Sequence, residues 1–368
     1  MFQRRSSLAI ACITLLFCAS LVAQKKDDKK QDDAQKKEVQ NLVKLADDAA
    51  AGQGAASNDL SLTWVREDVL KAQGNKQYIP FIVTVDPTKV TTGNLVFYWR
   101  VIAKNAQPTA TTGEAADKKD NKDKDKDKDK DKDKDKDKDK KKSDYAYEDV
   151  AFIPVTAGQP GPMRIARSFT VGAGAYDVVI IAREYGAQAQ KGNPAPAKTS
   201  VLKQTVNVPD FWNGELNTSS VIVAQRIDPL PAPLTPQQQA DRPYALGQME
   251  IVPQVDMTFN KKQELSTFML VYNPKTDSAN KPDVVVEYNF HSKSGNDWKF
   301  FNKTNPQNLN AQTLPPQFDL AAGHQLQSGQ AVPLGSFPEG EYKLEIKVTD
   351  KVANKTLTRD VFFTVTAS

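Results

Sequence analysis

From Leu60 onward, apolar and polar residues alternate with a period of two along much of the chain. Ile79, Phe81, Val83 and Val85 share one phase; Leu95, Phe97, Trp99 and Val101 repeat it, followed by Tyr176, Val178 and Ile180. Neighbouring side chains of a strand point to opposite faces, so this period predicts half-buried strands. Turn-forming residues separate them at Asp86-Pro87, Gly93-Asn94, Gly158 to Pro162 and Gly172 to Gly174. Strands are predicted near residues 60–65, 79–85, 95–103, 145–155, 163–169, 176–184 and 200–208. Seven short strands in about 150 residues predict an antiparallel β-sandwich.

The second half follows the same plan. In "YKLEIKVTD", Tyr342, Leu344, Ile346 and Val348 face one way and Lys343, Glu345, Lys347 and Thr349 the other. A turn at 351–355 leads into Leu357–Thr366, where Val361, Phe363 and Val365 alternate, so the chain is expected to end in a hairpin. Earlier strands are predicted near 249–256, 264–272, 284–291 and 298–302, and the weak pattern of 305–334 places nothing. "GAYDVVIIAREYG" with "SVLKQTVNV" matches "GEYKLEIKVTDKV" with "LTRDVFFTV": Gly-x-Tyr, an alternating strand, a turn and a closing strand. The repeat predicts two tandem domains of one all-β fold, residues 58–208 and 246–368. Residues 209–245, with "VPDFWNGELN" and "IDPLPAPLTP", read as junction and linker, with Phe211 and Trp212 packed between the domains.

The amino terminus has another character. Arg4 and Arg5 precede the apolar stretch Leu8–Ala23, and Leu21-Val22-Ala23 before Gln24 has the form of a signal-peptidase site. The apolar stretch is shorter than the ~20 residues that span a bilayer. Residues 1–23 are therefore expected to be a cleaved signal peptide, leaving a secreted or periplasmic chain with no membrane span. Cys12 and Cys18 are the only cysteines. The exported chain would then have no disulfide, thiol nucleophile or Cys-based zinc site and would be stabilised by its core. Residues 24–57 read as a polar tether; Val39, Leu42, Val43 and Ala46 within it fit either one short helix or a frayed segment.

Two resemblances follow from these residues. The Gly-x-Tyr openings resemble the tyrosine corner of immunoglobulin-like sandwiches, which implies that Tyr176 and Tyr342 tie their strands back to the preceding turns. In the same comparison Trp99 takes the place of the core tryptophan, while Val178 and Leu344 stand where antibody-type domains carry a cysteine. "LTWVREDVLKAQGNKQYIPFIVTVDP" and "VPLGSFPEGEYKLEIKVTDKVANKTLTRDVFFTV" resemble secreted Gram-negative proteins with immunoglobulin-like sandwich domains, of the kind found alongside GWxTD domains. The GWxTD motif itself does not occur in this chain. The fold expected is all-β: two tandem immunoglobulin-like antiparallel β-sandwiches, with a disordered charged insert in the first.

That insert, residues 105–144, holds nine successive Asp-Lys pairs from Asp123 to Lys140. Its charged part, residues 117–142, accounts for most of the net charge of +4. Residues 117–142 contain 14 Lys and 11 Asp; with Arg4 and Arg5 also set aside, 33 basic and 34 acidic residues remain. This balance gives no footprint for nucleic acid, and each Asp in the run repels phosphate as its neighbouring Lys attracts it. An EF-hand loop needs a turn glycine and a terminal Glu, which the run lacks. As a helix it would place like charges four apart throughout. The run reads as a disordered spacer. Lengthening a loop from ~5 to ~40 residues costs only about 1.8 kcal/mol.

Catalytic chemistry finds little support. The chain has two histidines: His291 falls in the solvent phase of its strand and His324 in "AAGHQLQSG", neither near a GxSxG or HExxH pattern. No metal or cofactor site is expected. The aromatic stretch "SGNDWKFFNKTNPQN" offers Trp298 and Phe301 as weak candidates for ligand contact, against the plainer reading of a strand with Phe in the core and Trp over its edge. The expectation is a non-enzymatic protein with a structural or protein-binding role at the cell envelope, its partner an envelope or extracellular protein or a glycan. A carbohydrate-binding module is the first alternative and a carboxylate-dependent glycosidase the second.

Overall fold

The computed structural model describes residues 16–53, 57–104, 145–186 and 196–367, with side chains from Asp33 onward. The Asp-Lys insert and the first 15 residues of the predicted signal peptide lie outside the described residues. A helix, α1 (Leu16–Ala50), precedes β1 (Thr63–Glu67), β2 (Leu70–Lys71), β3 (Gln77–Val85), β4 (Asn94–Ala103), β5 (Tyr147–Pro154), β6 (Met163–Val171), β7 (Gly174–Glu184) and β8 (Thr199–Val208). The second half holds β9 (Asn217–Thr218), β10 (Ile222–Pro229), α2 (Pro236–Asp241), β11 (Ala245–Leu246), β12 (Met249–Pro253), β13 (Thr258–Asn260) and β14 (Glu264–Tyr272). It closes with β15 (Val284–Ser294), β16 (Asp297–Lys303), β17 (Gln307–Leu309), β18 (Leu326–Pro333), β19 (Gly340–Asp350) and β20 (Lys355–Thr366).

These strands form four sheets. In the first half, β5-β4-β7-β8 makes an outer sheet, and β3 with β1, β2 and β6 an inner one. In the second, β11-β12-β10-β14-β18 with β9 makes an inner sheet, and β13-β20-β19-β15-β16 with β17 an outer one. The chain is thus an all-β protein of two antiparallel sandwiches; β13 with β20 is the one parallel pairing among these ladders. The repeat seen in sequence is a repeat of topology: β4-β7-β8 corresponds to β15-β19-β20, and β3-β6 to β14-β18.

The strand patterns say why the layers stack as they do. On β14, Leu265, Met269 and Val271 enter the second core, while Phe268, Leu270 and Tyr272 join the first. β3 is likewise covered on both faces, burying Ile79, Phe81 and Val83 on one and Ile82 on the other. The inner sheets therefore pack against each other, and the two sandwiches form one continuous stack. On the far side of the first outer sheet, Val96, Tyr98, Val179 and Ile181 are covered by α1 through Leu42 and Ala46. Each such aliphatic or aromatic side chain removed from water contributes about 1.5–3 kcal/mol.

Two segments differ from expectation. The chain is helical from Leu16 to Ala50, where a polar tether with at most a short helix was expected. Asp32 and Asp33 stand four residues before Lys36 and Lys37, and opposite charges at this spacing support a helix, unlike the like charges of the Asp-Lys run. Docking then holds its carboxyl-terminal half: Glu38 pairs with Arg183 at 2.8 Å and Asp47 with the buried Arg100. Residues 217–229, read as part of a linker, instead supply β9 and β10 of the second inner sheet. Ile222, Val223 and Ala224 are buried on both faces, so no alternation marks them.

The two corner tyrosines and Trp99 each bond a backbone carbonyl. The Tyr176 hydroxyl donates to the Gly172 carbonyl at 3.1 Å and the Tyr342 hydroxyl to the Pro338 carbonyl at 2.8 Å, four residues upstream in each case. Trp99 is buried and donates through Nε1 to the Ser168 carbonyl on β6 at 3.1 Å. Its counterpart in the second sandwich is Tyr288: Trp99 lies opposite Ile180 as Tyr288 lies opposite Ile346, and the Tyr288 hydroxyl bonds Ser328 on β18 at 2.8 Å.

Where the inner sheets meet, Asp68 is 1 % exposed and accepts from Arg66 Nε and Nη2 at 2.9 and 2.6 Å. The Tyr244 hydroxyl, from the second sandwich, donates to the same carboxylate at 2.8 Å, and Arg66 Nη1 donates to the Gln254 carbonyl at 3.0 Å. Burial opposes the charge on Arg66, but the adjoining Asp68 outweighs it and raises the guanidinium pKa. Burial, then the charge of Asp68, pushes the Tyr244 hydroxyl far up. Replacing Asp68 with Ala should strand the cation and cost about 3–5 kcal/mol, whereas Tyr244→Phe should cost about 1.5–3 kcal/mol. Urea midpoints check this; an Asp68→Ala variant no less stable than Tyr244→Phe would show that the Arg66–Asp68 pairing adds nothing beyond the Tyr244 hydrogen bond.

Candidate binding surfaces

The outward face of the second outer sheet has no covering element among the described residues. Its middle is charged and locally neutralised: Lys347 faces Glu287 at 3.3 Å, and Lys343 lies 3.7 Å from Asp360. One end is aromatic. A register shift between Phe290 and His291 leaves His291 opposite Phe300 and Lys293 opposite Trp298, while Lys343 lies opposite Phe362 on the other side. Phe300 is 60 % and Phe362 54 % exposed. Trp298 is half-buried against Phe362, with ring centroids 5.6 Å apart and planes at 51°. His291 meets Phe300 edge-on at 6.0 Å. Lys293 pairs with Glu341 beside Trp298.

The two aromatic candidates part company. Trp298 belongs to this outward cluster. Phe301 has the opposite phase on β16 and packs inward on Phe337 at 5.0 Å and Tyr342 at 5.5 Å, so its role is in the core. Phe362 was not singled out from sequence, although an aromatic in the solvent phase of "TRDVFFTV" was a readable sign. Rings tilted by 51° and 82° do not make the flat platform on which a sugar stacks.

The remaining candidates have structural partners. Phe211 is buried against Tyr272 at 4.9 Å, as expected of a residue between the domains. Trp212, expected to pack between the domains, is instead 40 % exposed; it donates to the Lys76 carbonyl at 3.1 Å and lies under the Lys71 ammonium, both of the first sandwich. His291 is half-buried, and His324 Nδ1 accepts from the Asp319 amide at 3.0 Å. Among the described residues no cluster of three His, Cys, Asp or Glu side chains is placed to hold a metal ion. No described helix is long and apolar enough to cross a membrane.

The repeat also carries a pair of buried carboxylates that sequence reading missed. Glu184 and Asp350 stand eight residues after the two corner tyrosines. Glu184 accepts from the Thr91 amide and hydroxyl and, at 3.3 Å, from the Lys198 amide. Asp350 accepts from the amides of Lys275, Val352 and Ala353 at 2.7–3.0 Å. Each carboxylate thus fastens two loops at one end of its sandwich. A polar residue ending an apolar run in both copies was the available signal.

With the architecture defined as two tandem sandwiches, comparison adds little to it. No protein-family model matches the chain, and no curated protein matches it in sequence. Among solved structures, it is similar to trypsin-activated alpha-2-macroglobulin from Escherichia coli at 10% identity, covering 85% of this chain and 17% of that one, with a TM-score of 0.21. The native conformation of the same E. coli protein gives 10% identity, 85% and 16% coverage and a TM-score of 0.20. A chain titled pT26-6p gives 8% identity, 84% and 67% coverage and a TM-score of 0.19. The chain spans about a sixth of the alpha-2-macroglobulin length. Scores this low assign it no function.

Burial opposes the charge on Glu184, but the donors from Thr91 and Lys198 outweigh it and hold its pKa below the ordinary 4.5. A carboxylate with a lowered folded pKa stabilises above its unfolded pKa, and that contribution is lost as pH falls through the folded value. Glu184→Gln should therefore be less stable than the parent at neutral pH, with the gap closing as pH drops below 4.5. Urea midpoints across that range test it; a gap independent of pH would remove the charged hydrogen bonds as its cause.

Proposed function

We propose that this is a secreted or periplasmic, non-enzymatic protein, of the kind found alongside GWxTD domains, that binds another protein through the aromatic end of its second outer sheet. The observation that carries the reading is the exposure of Phe300 and Phe362 beside Trp298 on a face whose other charges are largely paired. The corresponding face of the first sandwich is apolar and already covered by α1. Large aromatics clustered at a surface and rimmed by polar groups favour a protein contact.

The rim defines the partner's chemistry. Lys303, opposite Asn289 in the outward phase of β16, is exposed and has no ion pair among the described residues. It fits an apolar segment that carries an acidic residue. β16 ends its sheet, and the lysines along it disfavour addition of a further strand, leaving the face rather than the edge for contact. The tilted rings favour protein side chains over a glycan. Export rests on the Arg4-Arg5 and Leu8–Ala23 pattern, with cleavage after Ala23.

A photo-crosslinking residue placed at Phe362 in cells that export the protein should give discrete protein adducts. Phe300→Ser should abolish them, and the same residue at Thr358, farther along β20, should not form them. Identical adducts from both positions, or none from Phe362, would exclude this face as the contact. Amino-terminal sequencing of the exported chain should begin at Gln24; an intact Met1 would exclude cleavage.

A further inference from the structure

We propose that the cleft between the two sandwiches binds an uncharged, extended peptide segment. This site is separate from the aromatic face and does not depend on it. The cleft opens where β2 and β3 of the first inner sheet diverge from β14 and β18 of the second, beside the turn joining β11 to β12. Its volume is about 500 Å³, within the ~300–1,000 Å³ typical of ligand sites, which occur preferentially at domain interfaces.

The lining has an apolar floor and an amide rim. Leu70, Phe268 and Leu270 form the floor, buried but reachable from the opening. Gln248, Gln325 and Gln327 stand exposed around it. A glutamine amide supplies both a donor and an acceptor, the pair that an extended peptide backbone presents in return. An aliphatic side chain on that peptide would meet the floor and gain by leaving water.

The electrostatics disfavour a charged ligand. Among the described residues no carboxylate lines the cleft. Its one ammonium, Lys71, donates to Asn273 Oδ1 at 2.9 Å and lies 4.2 Å from the Trp212 ring centre, so it is committed elsewhere. A charge seated here would lose water without gaining an opposite charge.

Two observations favour a peptide over a sugar. Phe268 is only 7 % exposed, and the hydroxyl of Tyr78, the other aromatic in the lining, is committed to the Pro243 carbonyl at 2.9 Å. Phe268 therefore offers no open ring face to a pyranose. β18, which carries Gln327, has β14 as its only strand partner among the described residues, so its second edge is available to an added strand. The Arg66–Asp68–Tyr244 network fixes the two walls relative to each other, so the site is formed before any ligand arrives.

Selection of a displayed library of short random peptides on the full chain tests the proposal. Enriched peptides should carry Leu, Met or Phe, with few charges. Their affinity should fall about tenfold or more in both Gln327→Lys and Gln248→Lys, which alter exposed side chains and should leave the urea midpoint unchanged. A Phe300→Ser, Phe362→Ser variant should bind them as the parent does, so failure of the aromatic face and failure of the cleft are read separately. No enrichment, peptides insensitive to both glutamine substitutions, or capture of neutral oligosaccharides in place of peptides would overturn it.

Discussion

The back-to-back packing of β3 against β14 is the constraint on which the other features depend. Apolar area drives it, since Ile82, Phe268, Leu270 and Tyr272 leave water only when the sandwiches meet. The polar network fixes its geometry. Asp68 is buried, and its partners come from both halves: Arg66 from its own, Tyr244 from the other. Each half therefore completes the hydrogen bonding of the other. A tandem pair that could have been two beads on a string is one rigid stack, with residues 217–229 built into its second half.

Much of this order was legible in the sequence, through a distinction finer than strand against loop. "YKLEIKVTD" alternates cleanly because its sheet faces solvent on one side. "LVFYW", "DVVIIA" and "TFMLVY" are apolar at nearly every position, and the strands they form are covered on both faces, by α1 or by the neighbouring sandwich. Unbroken apolar strands thus mark the interior layers and alternating strands the outermost one. The tyrosine corners and Trp99 were readable because their roles are set by position within a strand.

What escaped reading has equally physical causes. β10 buries only a short apolar triplet before turning polar, and β18 turns Ser328 inward to satisfy Tyr288, so neither shows a hydrophobic period. Residues 25–37 show no apolar period in sequence, and their helical signal lies in charge spacing instead. Asp68, Glu184 and Asp350 are ordinary acids in sequence. Their importance arises from amides, hydroxyls and a guanidinium that tertiary structure brings to them. The aromatic cluster was half legible: the stretch was found, but the phase that sends Phe301 inward and Phe300 outward decides which side chain stays at the surface.

The two outer faces show how one plan can be put to different uses. The first presents Val96, Tyr98, Val179 and Ile181, a surface that would be exposed without α1; Glu38 and Asp47 then meet Arg183 and Arg100 to seat that helix. The second carries Glu287, Glu345 and Lys347 across its middle and can remain in water unaided. Against such a background Phe300 and Phe362 are not leftovers of a core, because the inward positions around them are filled by Phe301, Phe337 and Phe363. They expose apolar area that the fold does not use, at a cost in solubility that the lysines of β16 offset. An exposed cluster retained beside a complete core is explained by an external contact more simply than by folding.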